Sequence, residues 1–528
     1  MNKRLSIIPI CIVILALFLG GSTTGCGSSE TFDSASADES ANPPDQNPTG
    51  NPGNNEPGSP LIPYTSYYWV STEGSDENPG TQDKPFRTLY KASLECYRAA
   101  KDIYIYPGTY VEEQAPFFPP NVSIYGLGSR TVDPVKFRPV IDIRDCGYDE
   151  CYFGLIGSNS SYNSGSTVNI DGLKILANGT GIWAYHTTLT LTNSEIIVSG
   201  TDQAIGIDVH TADTVKSFSV SDSTITTEDL IGSNANAQGI AIFDGTCDNL
   251  AIDILDSKIT VGRGDGQSVG LFIANFSDCE QNILVKGNSI SSSESSGISA
   301  GAILAYSDEV RIEQNTITAG TVQDIAGTNQ ISVGVSLQSD SSHNRIDLTL
   351  LNNTIYGGSG GDDSYGVWLF DNIDAFILFN TIDGGTSATD EVTAIKSYND
   401  VSTDAHNNIL CAGTSNNSYG IFEIRGTSME LSHNLFCDDL GVFYETHADN
   451  ALPQSYTDVA TINALGADFA SNVSGDPNFV NFADQDYHIV FPSDAVDEGR
   501  SVTGIAHDLD GNARVQGQAP DIGAYELR

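Results

Sequence analysis

Between Val168 and Cys437 one hydrophobic phrase returns ten times: an apolar residue, four small or polar residues, then another apolar residue. In order the copies run Ile170 to Ile175, Leu191 to Ile196, Val220 to Ile225, Ile254 to Ile259, Val285 to Ile290, Ile312 to Ile317, Leu350 to Ile355, Ile377 to Ile382, Ala405 to Leu410 and Leu431 to Phe436. Successive closing positions lie from 21 residues apart (Ile175 to Ile196) to 38 apart (Ile317 to Ile355). A short period with variable spacing marks a solenoid whose loops absorb insertions.

Two further columns say which solenoid. A small residue followed by a β-branched or leucyl one recurs once per turn, at Gly181-Ile182, Gly206-Ile207, Gly239-Ile240, Gly270-Leu271, Ala302-Ile303, Gly334-Val335, Gly366-Val367, Ala394-Ile395, Gly420-Ile421 and Gly441-Val442. Each turn therefore carries at least two strands, and the absence of long period-3.6 patterns argues against helical or leucine-rich repeats. Three places into the phrase, the last six copies place Asn288, Asn315, Asn353, Asn380, Asn408 and Asn434. Stacked turns would align these side chains as an amide ladder. The prediction is a parallel β-helix.

The phrase with its internal asparagine resembles those of bacterial right-handed parallel β-helix proteins of the pectate-lyase-like class. So do Tyr68-Trp69-Val70-Ser71, the run Gly80 to Phe86 and Tyr106-Pro107-Gly108-Thr109-Tyr110. The tail segments Asp476 to Phe479, Asp486 to Ile489, Asp508 to Gly511 and Pro520 to Glu526 resemble the closing module of such secreted proteins. The resemblance implies an all-β, single-stranded right-handed parallel β-helix with a short N-terminal capping helix and a C-terminal cap. It does not choose a function, because this fold carries lyases, hydrolases, epimerases and non-catalytic surface proteins alike.

Five segments follow. Residues 1–25 read as a lipoprotein-type signal peptide: Lys3 and Arg4 precede the apolar run Leu5 to Leu19, which is too short to span a bilayer. Thr23-Thr24-Gly25-Cys26 resembles a lipoprotein cleavage box, which implies lipidation of Cys26 and, with Gly27 behind it, export to the bacterial outer membrane or cell surface. Secretion without an anchor is the alternative. Residues 26–62 form an acidic Ser, Pro, Asn and Gly tether with too little to bury. Residues 63–150 hold the N-terminal cap and first coils, with Leu89, Ala92, Cys96 and Ala99 on one face of a short helix covering the open end. Residues 151–447 carry the repeats, and 448–528 the closing module.

The formal net charge of −45 repels nucleic acid, anionic lipid and bare polyuronates, so ligands are expected to be neutral or cationic and the only membrane link is the lipid. The cysteines are expected to pair as Cys146 with Cys151, Cys247 with Cys279 and Cys411 with Cys437, the last two residues standing one turn, about 4.8 Å, apart. Cys96 is left free on the cap helix.

Candidate chemistry is sparse. No metal site or cofactor is assigned; Asp508, Asp510 and Asn512 echo a calcium loop, but Gly511 comes too early for an EF-hand, and a turn held by Arg514 is the simpler reading. For a hydrolase, Asp362, Asp363, Asp371 and Asp374 come nearest to a carboxylate cluster. For a lyase, Lys396, one turn beyond Asp371, is the base candidate. The outward positions of the Gly-Ile strand are unusually aromatic, with Trp183, Phe272, Trp368, Phe422 and Phe443 in one column and Tyr185, Phe243, Tyr306, Phe370 and Tyr398 in the next. Rings on a rigid sheet suit the stacking of sugars, unless loops bury them. The expected protein is a monomeric surface lipoprotein that binds polysaccharide or cell-surface glycan, or a neighbouring surface, without catalysis. The alternative is a polysaccharide lyase or glycoside hydrolase acting on the same face. A compact acid cluster beside Lys396 would favour the enzyme.

Overall fold

A computed structural model describes residues 67–527 except 131–137, 148–150, 157–166, 212–214, 216, 231, 233, 245–248, 276–279, 324–329, 388–389, 414, 416 and 449–450. The chain divides at Pro63/Tyr64 into two units, and every described residue belongs to the second. The signal peptide, the tether, Cys26 and the pair Cys247 with Cys279 lie outside the described residues.

The second unit is a right-handed parallel β-helix built from three sheets of 13 strands each. The phrase straddles the corner between the first and second sheets. Its opening residue ends a first-sheet strand, as Leu191 does in Thr188–Thr192, and its closing residue lies in a second-sheet strand, as Ile196 does in Glu195–Ser199. Both strands alternate inward and outward positions, so their apolar residues fill the interior and their polar ones face out. The third sheet carries the Gly-Ile strands, such as Thr180–Tyr185 and Gln203–Thr211.

Two residues form the first corner in each of the ten phrases. In all ten corners the first residue has positive φ: Gly172, Asn193, Asp222, Asp256, Gly287, Gln314, Asn352, Phe379, Asn407 and His433; Asn and Asp tolerate this conformation best after Gly. The second corner residue points in and carries the ladder. Asn380 shows the pattern: its amide donates to Leu350 O, Leu378 O and Asn408 Oδ1, while its Oδ1 accepts from the backbone and side-chain nitrogens of Asn353. The ladder is longer than the six predicted asparagines. Ser194, Ser223 and Ser257 extend it at one end with hydroxyls that accept the preceding corner's N–H, and Asn472 extends it at the other, ending on Asn463. A second internal series, Ser268, Ser299, Ser332 and Ser364, bonds backbone carbonyls at the entry to the third sheet.

The third-sheet register corrects two assignments. Leu271 pairs with Ala302 and Phe272 with Ile303, so the small-residue pair is Gly301-Ala302 and Ile303 faces outward. The cause is steric: a Cβ on residue 301 would lie 2.3 Å from Ile317 Cγ2 and 2.6 Å from Gly334 O, so the glycine must occupy this position. In the last turn Ile421 pairs with Tyr444, and Phe443 turns inward to stack on Phe436.

Both ends are covered. The helix Leu89–Arg98 buries Leu89, Ala92, Ser93 and Cys96, while Ala99 is exposed just past its end. Its first turn is held by the buried Glu112 carboxylate, which accepts from Leu89 N and Tyr90 N. Burial pushes the Cys96 thiol up to about 11, so it is unreactive in the folded chain. At the far end Gln454–Tyr456 closes the third sheet as an antiparallel strand. Residues 476–527 then fold back along the second sheet. They touch it through Thr318 with Gln485, Asn352 with His507 and Arg514, Asp383 with Tyr487, and Asn407 with Arg500. Cys146 is bonded to Cys151 and Cys411 to Cys437.

Candidate functional site

Across three successive turns the outward face of the third sheet forms a grid. Asp363, Tyr365, Trp368 and Phe370 occupy one strand; Glu391, Thr393, Lys396 and Tyr398 the next; Asn417, Tyr419, Phe422 and Ile424 the third. Lys396 stands at the centre, between Trp368 and Phe422. Its Nζ lies 2.9 Å from Glu391 Oε1 and donates to Tyr365 Oη at 2.9 Å. The same ammonium sits 4.5 Å from the Tyr365 ring centroid and 5.3 Å from that of Phe422. Thr393 donates to the same Glu391 oxygen. Tyr365 also hydrogen-bonds Asp363, whose carboxyl is pushed up to about 6 by burial, with Lys396 pulling the other way. Burial and the carboxylates of Glu391 and Asp363 raise the Tyr365 hydroxyl well above its ordinary value. A compact acid cluster therefore does lie beside Lys396.

Asp371 and Asp374 are not part of it. Asp371 sits on the corner after the strand, with φ of 61°, bonded to Asn399. Asp374 belongs to the first sheet, where it pairs with Arg345 at 2.7 Å. The residue one turn before Lys396 is Trp368, three positions ahead of Asp371, which lies past the strand end. Asp362 accepts Gln330 N, so of the four candidate acids only Asp363 reaches the lysine network.

The aromatic columns are interrupted and partly covered. Phe272, Trp368 and Phe422 are buried, as are the outward Val269, Ile303 and Val333 between them. Tyr306 lies one position past its column, because Ala305 pairs with Ala274 and Gln338; its ring stacks on His343. Half-exposed rings remain in two groups: Trp183, Tyr185 and Phe243 with His210, and Phe370 with Tyr398. Within them the rings stack on one another, Phe370 on Tyr398 at 4.9 Å and 13° and His210 on Phe243 at 5.3 Å and 18°. Parallel strands thus use much of the ring faces internally, and the strip offers edges, hydroxyls and stack ends. The buried Trp368 Nε1 has no acceptor among the described residues.

The calcium-like turn is closed by the chain itself. Asp508 accepts from Asn512 N, Asn512 Nδ2 and Glu526 N. Arg514 instead reaches Glu526 and Asn352, tying the closing module to the stack.

A groove of about 560 Å³ runs along the outward face of the first sheet, lined by Glu309, Asp347, Asp374, Phe376, Ser402 and Asp404. Phe376 is 50% exposed there. The reading of the sequence missed this groove, whose only signal was the in-register recurrence of acids at outward positions.

Residues 72–129 match a family model described as a protein of unknown function (DUF1565). No curated protein matches the chain. Among solved structures, the pectate lyase Pel9A aligns over 88% of this chain and 98% of its own, at 12% identity and a TM-score of 0.38. A GH136 lacto-N-biosidase from Eubacterium ramulus aligns over 78% and 66%, at 12% identity and 0.31. Tailspike protein 3 of bacteriophage CBA120 aligns over 73% and 60%, at 14% identity and 0.32. These likenesses assign no residue a role; the fold rests on the chain's own three parallel sheets.

Proposed function

We propose that this is an exported surface β-helix, anchored through lipid on Cys26, that binds a neutral or cationic polysaccharide on the outward face of its third sheet without cleaving it. The observation that carries the reading is the grid around Lys396. Six rings, Tyr365, Trp368, Phe370, Tyr398, Tyr419 and Phe422, surround one lysine-glutamate pair, whereas the three turns just before place Ala274, Ala305 and Gln338 in the Phe370 and Tyr398 column. Apolar rings with a few fixed polar groups suit sugars. The acid cluster beside Lys396 is the feature expected of an enzyme, but Lys396, Glu391, Tyr365 and Asp363 already satisfy one another, which favours holding a chain over attacking one. The acidic surface disfavours polyanions.

Tyr398→Ala removes a half-exposed ring, so it is expected to weaken retention of the bound polysaccharide about tenfold, on the order of 1 kcal/mol, while leaving the melting temperature in place. Trp368→Ala, by contrast, opens a buried site and lowers stability. Affinity electrophoresis against a panel of neutral and cationic polysaccharides reads the effect. Retention that Tyr398→Ala leaves intact, or none at all, ends the binding reading.

The raised carboxyl of Asp363 favours a second reading, in which it acts as general acid beside Lys396. New chain ends in the same panel, abolished by Asp363→Asn, would establish that reading instead.

A further inference from the structure

The first sheet carries a second constellation, on another face from the grid and independent of it. Asp404 and His406 project from the same side of strand Val401–His406, and Glu430 stands opposite Asp404 on the neighbouring strand Ser428–Ser432. One donor atom from each of the three lies within 4.8 Å of the others. His406 is almost fully buried, its side chain 6% exposed. Ser432 Oγ lies 2.7 Å from its Nδ1, and Ser432 O 3.4 Å from the same atom.

These contacts orient the ring. Held at Nδ1 by Ser432, the ring turns its Nε2 toward Asp404 Oδ1, which it touches. That oxygen is buried and, apart from His406, has no hydrogen-bond partner among the described residues. Either a proton on Nε2 or a metal ion can bridge these two atoms. A proton would make a simple ion pair; a metal ion would also engage Glu430, which an ion pair does not need. A histidine whose far nitrogen is fixed by a neighbouring oxygen is the usual form of a metal-binding imidazole.

We propose that Asp404, His406 Nε2 and Glu430 form a site for a divalent transition metal of the zinc class. One imidazole nitrogen and two carboxylate oxygens match that class, whereas calcium takes oxygen donors alone. Three protein donors leave a coordination position unfilled. Asp404 also lines the acidic groove with Asp374, Phe376 and Ser402, so the open position faces a channel wide enough for a ligand.

Titration calorimetry of the untagged, chelator-treated full-length chain with Zn2+, and separately with Ca2+, tests the site. The expected result is one equivalent of Zn2+, no matching Ca2+ signal, and affinity lowered about tenfold or more by Glu430→Gln and by Asp404→Asn. Ser432→Ala should weaken binding by a similar factor, about tenfold, through the ring it orients. Glu430 is exposed, so its variant should fold as the parent does, with an unchanged metal-free melting temperature. Absence of Zn2+ binding would leave a plain ion pair and overturn the proposal. So would Zn2+ binding that Glu430→Gln and Asp404→Asn leave unchanged.

Discussion

Asn380→Ala is expected to lower the stability of the folded chain by on the order of 4 kcal/mol, more than any exposed substitution on the stack. The amide makes three donor bonds and accepts two, all within the interior, and Asn380 is fully buried. Truncation therefore takes the side-chain acceptor from Asn353 N and removes one interior partner each from Asn353 Nδ2, Asn408 Oδ1, Leu350 O and Leu378 O. A rung with fewer bonds should cost less. Ser223 accepts Ser194 N and donates to Ser221 O, so Ser223→Ala should lose about 1 kcal/mol. Thermal and urea unfolding of the two variants measure the difference. Equal and small losses would mean that backbone pairing alone holds the first corner.

The second large effect is a dependence on pH. Asp383 is buried beneath the returning C-terminal segment, where its carboxylate accepts from Gly385 N and Tyr487 Oη. Burial pushes its carboxyl up to about 7, against an ordinary value of 3.8 in the unfolded chain. Between those values the folded chain holds a proton that the unfolded chain has released, so stability falls as pH rises from about 4 through about 7. The loss is on the order of 3 kcal/mol. Repulsion among the many surface acids acts in the same direction, and Asp383→Asn separates the two. The amide keeps the shape and an acceptor oxygen without a charge. The variant should therefore be the more stable protein at pH 8 and match the parent near pH 4. A variant that is less stable at pH 8 would show that the carboxylate is needed ionised against Tyr487.

What could be read in the letters followed the strength of the constraint. The phrase, its corner and the asparagine rungs were legible because a stacked amide tolerates few substitutes. The serine rungs were not, since a hydroxyl at Ser194 or Ser223 looks like any surface serine until the corner is known. Asn472 escaped because the helix Val459–Asn463 interrupts the repeat. Ile303 reads as inward only if Ala302 is taken as the small residue, whereas the position against Ile317 admits only Gly301. The site was harder still. Lys396 and the rings around it were visible as a column, but Glu391 and Asp363 lie at the strand starts, where spacing alone does not fix which way a side chain points. Asp404, His406 and Glu430 follow the same outward alternation as the threonines and serines of other turns.

The returning segment 476–527 also changes how the stack comes apart. Each turn of a solenoid touches only its neighbours, so an unadorned stack behaves as a one-dimensional zipper that can open from either end. Here contacts at Thr318, Asn352, Thr381 and Asn407 tie the tail to turns far apart in sequence, while Cys411 and Cys437 clamp the last pair. The turns from Thr318 to Cys437 must therefore open together with the tail or not at all, forming one cooperative block. The tail reaches back as far as the corner at Asp256, where Leu509 lies beside Gly287 and Asn288, and the turns before it, from Thr167 to Leu255, remain freer to fray singly. Mechanical pull or thermal motion would then spend itself on the N-terminal turns and leave those bearing Lys396 and His406 intact.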